Sequence, residues 1–159
     1  MSKPEAIDFA NYVPAVLTWV ANKLSGGAST LYLKHFGVGI EVWRCLALLV
    51  QGNPISAQYV SSTIGLDKAA VSRCFKRMHA DGYITFRDDE NDKRLKLAVI
   101  TAKGRKLHDR ILGLALEREA ALLSGFSTSE VKTLLKLLHR MHKNLPKVED
   151  VSHSFIGNK

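Results

Sequence analysis

Two cysteines in 159 residues, Cys45 and Cys74, are too few for a disulfide framework. Each reads as mid-helix in an apolar setting, which raises a thiol's pKa and blunts its reactivity. The expectation is a reducing, cytoplasmic setting and inert thiols. No apolar run reaches the ~18 residues of a membrane span without a charge. The N-terminus lacks the basic-then-apolar layout of a secretory signal, and no internal repeat or low-complexity tract is present. Six histidines raise the question of a metal. His139 and His142 share one side of a helix, but two ligands do not complete a tetrahedral site, and no CxxC or HExxH motif joins them. Nor is there a Ser–His–Asp layout by motif, a Gly-rich phosphate loop or a cofactor fingerprint. The expectation is a protein that is not an enzyme and carries no metal and no cofactor.

What is present is positive charge and enough apolar content to fold. The formal net charge is +8 and the hydrophobic fraction 46%, too high for disorder. Such a charge favours polyanions without choosing among them. Its distribution says more. Residues 56–110 hold 12 Lys or Arg against 7 Asp or Glu, a net +5, whereas the first 50 hold 4 against 3.

That basic stretch reads as helix, tight turn, helix and hairpin. A first helix spans about Ala57 to Ile64 with Ser56 as N-cap, and Gly65-Leu66-Asp67 makes the turn. A second helix spans about Lys68 to Ala80. At 100° per residue, Val71, Cys74, Phe75 and Met78 fall on one face. Ala69, Ser72, Arg73, Lys76 and Arg77 fall on the other. Small residues let a helix lie close to base edges, and cations reach phosphates and guanine. For a lone helix, a merely solvated face would be the simpler reading, and the following hairpin reverses that preference. Tyr83–Arg87 and Leu95–Ile100 alternate as strands, with Ile84 and Phe86 opposite Thr85, and Leu95, Leu97 and Val99 against Lys96 and Ala98. Between them, every position from Asp88 to Arg94 is charged except Asn91. Ile55 is placed to add a short third strand.

The helix pair, together with Asp92, Arg94, Ala98, Ile100, Thr101 and Gly104, resembles the multiple-antibiotic-resistance regulator (MarR) family. Its wing motif is Asp-x-Arg, three residues, Leu-x-Leu-Thr, then x-x-Gly; Ala98 and Ile100 depart from the usual leucines. The stretch Leu66-Asp67-Lys68-Ala69-Ala70-Val71-Ser72-Arg73 is also similar to the family's. The resemblance covers roughly residues 12 to 145. It implies a mostly α fold with a small β-wing: a winged helix-turn-helix lobe plus N- and C-terminal helical dimerisation arms.

The arms read as follows. Ala6, Phe9, Val13, Val16, Leu17, Val20 and Leu24 keep helical spacing, and the phase continues through Ala28, Leu31, Tyr32 and His35. One helix from about Val13 to His35 is expected, with Pro14 in its first turn. Gly26-Gly27 could loosen it, or split it into two shorter helices. Ile40–Gln51 forms a second helix, offering Val42, Trp43, Leu46, Leu49 and Val50 to the core. Thr101 caps a helix from Ala102 to about Leu123. Ser127 and Glu130 form a capping box for a last helix that ends at Pro146. The expected organisation is residues 1–36 as N-terminal dimerisation helix, 37–101 as DNA-binding lobe, 102–146 as C-terminal dimerisation helices, and 147–159 as an aperiodic tail. Apolar faces of the arms have little left to cover within one chain, so a homodimer is expected, against a monomer whose arms pack on its own lobe.

The functional expectation is a sequence-specific transcription regulator of double-stranded DNA. Arg73 is the candidate for bidentate contact to guanine. Ser72 and Lys76 would hold phosphates, with Arg77 at the edge, and Lys68, Ala69 and Lys96 complete the contact set. Ser56 sits where a phosphate meets free backbone N–H groups. The resemblance implies that Arg94 reaches the minor groove; Asp92 is placed to orient its guanidinium. Asp88, Asp89 and Glu90 are expected on the far side of the loop. A two-fold dimer implies a near-palindromic operator. The resemblance also implies a repressor released by a small aromatic or phenolic effector, for which Trp19, Tyr32, His35 and Arg44 are candidate ligand residues and equally candidate core. The thiols invite a redox reading too, but the family's peroxide-sensing branch carries its cysteine in the first helix, where this chain has none. The other reading is a winged-helix module that binds an acidic protein and no specific DNA.

Overall fold

The computed structural model describes residues 6–157. Residues 1–5 of the first arm and 158–159 of the tail lie outside them. The chain forms two compact units that divide within one helix, between Leu114 and Ala115.

The first unit opens with α1, Val13–Phe36, one continuous helix through Gly26-Gly27. Two glycines cost about 1 kcal/mol each relative to alanine. Burial of Ala28 and Tyr32 just beyond them anchors the phase that the apolar spacing sets. Gly37, at φ 71°, closes the helix by donating its N–H to the Leu33 carbonyl. α2, Ile40–Leu49, buries Val42, Cys45, Leu46 and Leu49. A short strand, β1 (Ile55–Ser56), leads into α3 (Ala57–Ile64), and Gly65, again left-handed, turns the chain into α4 (Lys68–Ala80). Both caps are side-chain oxygens: Ser56 Oγ accepts from Tyr59 N–H at 3.1 Å and Asp67 Oδ1 from Ala70 N–H at 2.8 Å.

β2 (Ile84–Asp88) and β3 (Lys96–Ile100) complete an antiparallel sheet in the order β1-β3-β2. The register pairs Ile84 with Ile100 and Phe86 with Ala98, and Ala98 also faces Ile55. These residues therefore share the core side. This reverses the expected phase of the last strand: Ala98 is buried, whereas Leu97 and Val99 are only half-buried. As the central strand, β3 has neighbours on both edges, and a small side chain fits where Ile55 and Phe86 converge.

The end of the sheet is locked to α5 (Ala102–Leu122) through Thr101. Its hydroxyl donates to the Gly82 carbonyl at 2.7 Å and accepts from Gly104 N–H at 3.0 Å, which makes it the expected cap. Gly104 has no room for a side chain, since a Cβ there would lie 2.2 Å from the Tyr83 carbonyl oxygen. From this end α5 sends Leu107 and Ile111 into one core with Leu46, Leu49, Val60, Val71, Met78 and Ile84.

The second unit holds the end of α5 and α6, Thr128–Gly157. Gly125, at φ 87°, makes the break, and the capping box forms: Glu130 Oε2 accepts from Ser127 N–H at 2.7 Å, and Ser127 Oγ from Glu130 N–H at 3.3 Å. The helix does not end at Pro146, nor is the segment beyond it aperiodic; α6 runs through to Gly157. Proline leaves the carbonyl four residues back without its N–H. That carbonyl belongs to exposed His142, where water can replace the donor. The apolar spacing Leu134, Leu138, Met141, Leu145 and Val148 crosses the proline in phase and continues to Phe155.

Two outcomes follow. Gly104→Ala should destabilise the first unit by about 1–3 kcal/mol, because backbone must move to admit the methyl group; a denaturant midpoint unchanged from wild type would contradict this. Hydrogen bonds from Ser127 hold the Glu130 carboxyl below its ordinary range. The start of α6 is therefore steadied above the unfolded carboxylate pKa and loses that support as pH falls through the lower folded value. The Ser127 amide resonance should titrate below the midpoint of an ordinary glutamate.

Candidate nucleic-acid interface

α4 is held by its apolar side. Val71, Cys74, Phe75 and Met78 are buried, which fixes the rotation of the helix and leaves Lys68, Ala69, Arg73, Lys76 and Arg77 exposed. Ser72 is half-buried at the margin. No ion pair or hydrogen bond engages the Arg73 guanidinium among the described residues. Arg77 Nε lies 3.9 Å from Asp81 Oδ2 with both groups exposed, a weak pairing that leaves the guanidinium available.

The wing is fastened to this helix by aromatic contacts. His79 stacks on Phe86 at 5.2 Å, and Phe75 packs against the same ring at 6.4 Å. Ser72, Lys76 and Lys96, proposed separately from sequence, line one cavity of about 330 Å³ with Ala57, Phe75 and Phe86. Lys96 is not wholly free, since its ammonium pairs with Asp88. Ser56 likewise spends its hydroxyl on the α3 cap. Tyr59, in the first turn of α3 and 52% exposed, was not singled out from sequence; it lines a separate cavity with Ser56, Asp89 and Leu97. It lies between Gln58 and Val60, and one exposed aromatic in a short helix leaves no periodicity to single it out.

The tip of the wing is built by carboxylates that hold backbone rather than side chains. Asp89 Oδ1 accepts from Asn91 N–H at 2.9 Å and Asp92 N–H at 3.0 Å. Asp92 Oδ1 accepts from the backbone N–H of Arg94 at 3.0 Å. Asp92 thus shapes the turn that carries Arg94 and does not grip its guanidinium, the geometry of an Asx-turn. The exposed guanidinium extends from that turn with no ion-pair partner among the described residues. Of the nearby acids, Asp88 is neutralised by Lys96 and Asp89 is turned into the loop.

Of the candidate effector residues, two have partners inside the chain and two are exposed. Tyr32 is buried, edge-on to Phe36 and Trp43. Arg44 Nη2 donates to Ser25 Oγ at 2.9 Å. Trp19 and His35 are exposed. Among the described residues, no three His, Cys, Asp or Glu side chains are placed to hold a metal, and no helix is long and apolar enough to cross a membrane.

A helix pair whose second member turns a cationic face outward, braced by a three-stranded wing with a basic tip, is a winged helix-turn-helix, a fold that presents a helix to DNA. Comparison with known proteins agrees. A profile of the MarR family matches residues 36–95. The uncharacterized HTH-type transcriptional regulator YybA of Bacillus subtilis (strain 168) is 31% identical over 108 residues, covering 67% of this chain and 71% of that protein. A crystal structure of a MarR/EmrR family transcriptional regulator from Acinetobacter sp. ADP1 superposes with a TM-score of 0.81 at 33% identity, covering 89% of this chain and 99% of that one. The S. aureus MepR–DNA complex, at 19% identity and a TM-score of 0.73, shares the fold over 84% of this chain and 96% of its own. The chain belongs to the MarR family and is a DNA-binding transcription regulator.

Asp92→Ala should loosen the wing tip without unfolding the protein. Hydrogen exchange at Arg94 N–H should accelerate while the core amides stay protected; unchanged exchange there would remove Asp92 from this role.

Proposed function

We propose that the chain works in the cytoplasm as a homodimeric repressor of a near-palindromic operator, without catalytic chemistry of its own. The observation that carries the reading is the outward cationic face of α4, with Arg73 at its centre and unpaired among the described residues. Each α4 would enter a major groove, with Arg73 reading guanine and Ser72 and Lys76 on phosphates. Lys68 and Ala69 would approach the duplex alongside, with Arg77 at the edge. Ser56 would present the start of α3 to a phosphate, and Lys96 would add charge beside the wing. Arg94 would enter the minor groove from a turn set by Asp92. Two such helices related by a dyad bind half-sites about 34 Å apart.

Dimerisation is supported by apolar surface within each unit. Val13, Val16, Leu17, Trp19 and Val20 of α1 are exposed, as are Leu134, Leu138, Leu145 and Val148 of α6. Stripes of this kind are rare on monomers, and a second copy of the chain supplies the matching surface. On this reading, residues 1–36 and 102–157 serve assembly and 37–101 serve DNA. Release by a small aromatic or phenolic effector rests on the family resemblance, with Trp19 and His35 as the accessible members of the candidate set. Such a ligand must prefer one separation of the two reading helices.

Arg73→Ala should cost about 1–3 kcal/mol of operator binding and relax base preference at its position. Lys76→Ala should weaken all duplexes alike and flatten the salt dependence by about one ion. Quantitative binding to operator and single-base variants checks both. Unchanged specificity in Arg73→Ala would take Arg73 out of the reading role. Operator affinity unmoved across a panel of phenolic acids would leave a regulator without that effector.

A further inference from the structure

The two thiols, far apart in sequence, meet in the core. Cys45 comes from α2 and Cys74 from the buried side of α4, and their Sγ atoms lie 3.9 Å apart. Cys74 Sγ also touches Met78 Sδ at 3.7 Å. Val42, Leu46 and Leu49 of α2 and Val71 and Phe75 of α4 belong to the same buried cluster, while the charge of Glu41 acts on both thiols and that of Arg77 on Cys74. Cys45 has no exposed surface, whereas Cys74 keeps 8%.

We propose that Cys45 and Cys74 are a modification site, at which a hydroperoxide converts the two thiols into an intrachain disulfide tying α2 to the DNA-reading helix. Cys74, the less deeply buried of the two, reacts first. Its sulfur attacks one peroxide oxygen, the O–O bond breaks, and the departing oxygen takes the thiol proton and leaves as water or an alcohol. Cys74 is then a sulfenic acid, oxidised by two electrons. Cys45 sulfur attacks the Cys74 sulfur, the S–S bond forms, the S–O bond breaks, and the Cys45 proton leaves with the hydroxide as water. The net change consumes one hydroperoxide and two thiols. It gives one disulfide, one water and the water or alcohol from the peroxide.

The division of labour fits the electrostatics. Cys45, held against Cys74 and buried, is pushed well above the ordinary thiol range, while the contact from Cys45 holds Cys74 below it. A thiol held down is the better first nucleophile, and a buried neighbour in contact is the resolving partner. The consequence falls on α4. The sulfurs must close from 3.9 Å to a bond of about 2.0 Å. A packed interior does not absorb such a movement in side chains alone. Val71, Phe75 and Met78 share that packing, and Arg73 is next to Cys74 in the chain, so the reading face shifts with the bond. This part rests on the DNA-reading role proposed above for α4.

The test uses the reduced full-length chain treated with hydrogen peroxide or cumene hydroperoxide. The remaining thiols are alkylated under denaturing conditions. The inference predicts loss of both alkylation sites, an intact mass lower by two hydrogens, and a peptide map joining Cys45 to Cys74 within one chain. Cys45→Ser, whose hydroxyl still reaches toward Cys74 but cannot form a disulfide, should stop at a Cys74 sulfenic acid trapped by dimedone, and Cys74→Ser should show no oxidation at Cys45. Operator affinity should fall at least about tenfold on oxidation and return with dithiothreitol. Both thiols still alkylated after peroxide, or a disulfide joining two chains, would overturn the inference. A disulfide that forms with operator affinity unchanged would overturn its control of DNA binding. The mass and the peptide map decide the chemistry without DNA. Reduced protein that fails to discriminate operator from random duplex would instead count against the proposed function.

Discussion

Everything at the DNA-facing surface depends on how α4 is seated. Its four apolar residues, Val71, Cys74, Phe75 and Met78, are buried in the core shared with α2, α3 and the start of α5. Fully burying a side chain of that size is worth roughly 1.5–3 kcal/mol, so the set fixes the rotation of the helix firmly. A rotation that bared those residues would bury Arg73, Lys76 and Arg77, whose charges find no partners inside. The outward cationic face is thus the complement of a packing constraint. A covalent change at Cys74 would act at the contact that positions the helix.

The wing is coupled to that seat at two points. Phe86 lies against Phe75 and stacks with His79, so β2 follows α4. At the other end, Thr101 ties the Gly82 carbonyl to the first turn of α5, and Gly104 lets that turn close on Tyr83. The threonine and glycine of the wing motif therefore act as a joint between sheet and helix. Arg94 is carried by a turn in which Asp92 and Asp89 hold backbone N–H groups. A mobile basic loop would lose more conformational entropy on binding than one already shaped.

Much of this was legible in the residues because it is local. The caps at Ser56, Thr101 and Ser127 follow from short-range hydrogen bonding, and the buried face of α4 follows from a period of 3.6. What was missed depends on distant chain. Ala98 faces inward because β1 and β2 flank it, which alternation within β3 does not reveal. Pro146 reads as a helix end by local rules, yet the surrounding phase carries α6 through it. Tyr32 and Arg44 read from sequence as ligand groups or equally as core, and their neighbours Trp43 and Ser25 are not visible in local spacing. The Cys45–Cys74 contact spans 29 positions, and nothing within either helix announces it.

The central claim is that the exposed face of α4 reads base sequence and is more than a cationic surface. A salt titration of binding to the duplex upstream of the chain's own coding region, beside a random duplex of equal length, tests it most directly. The account predicts a shared steep salt dependence with affinity for the upstream site about a thousandfold or more above random at physiological salt. Equal, weak binding to both duplexes across the whole titration would contradict it.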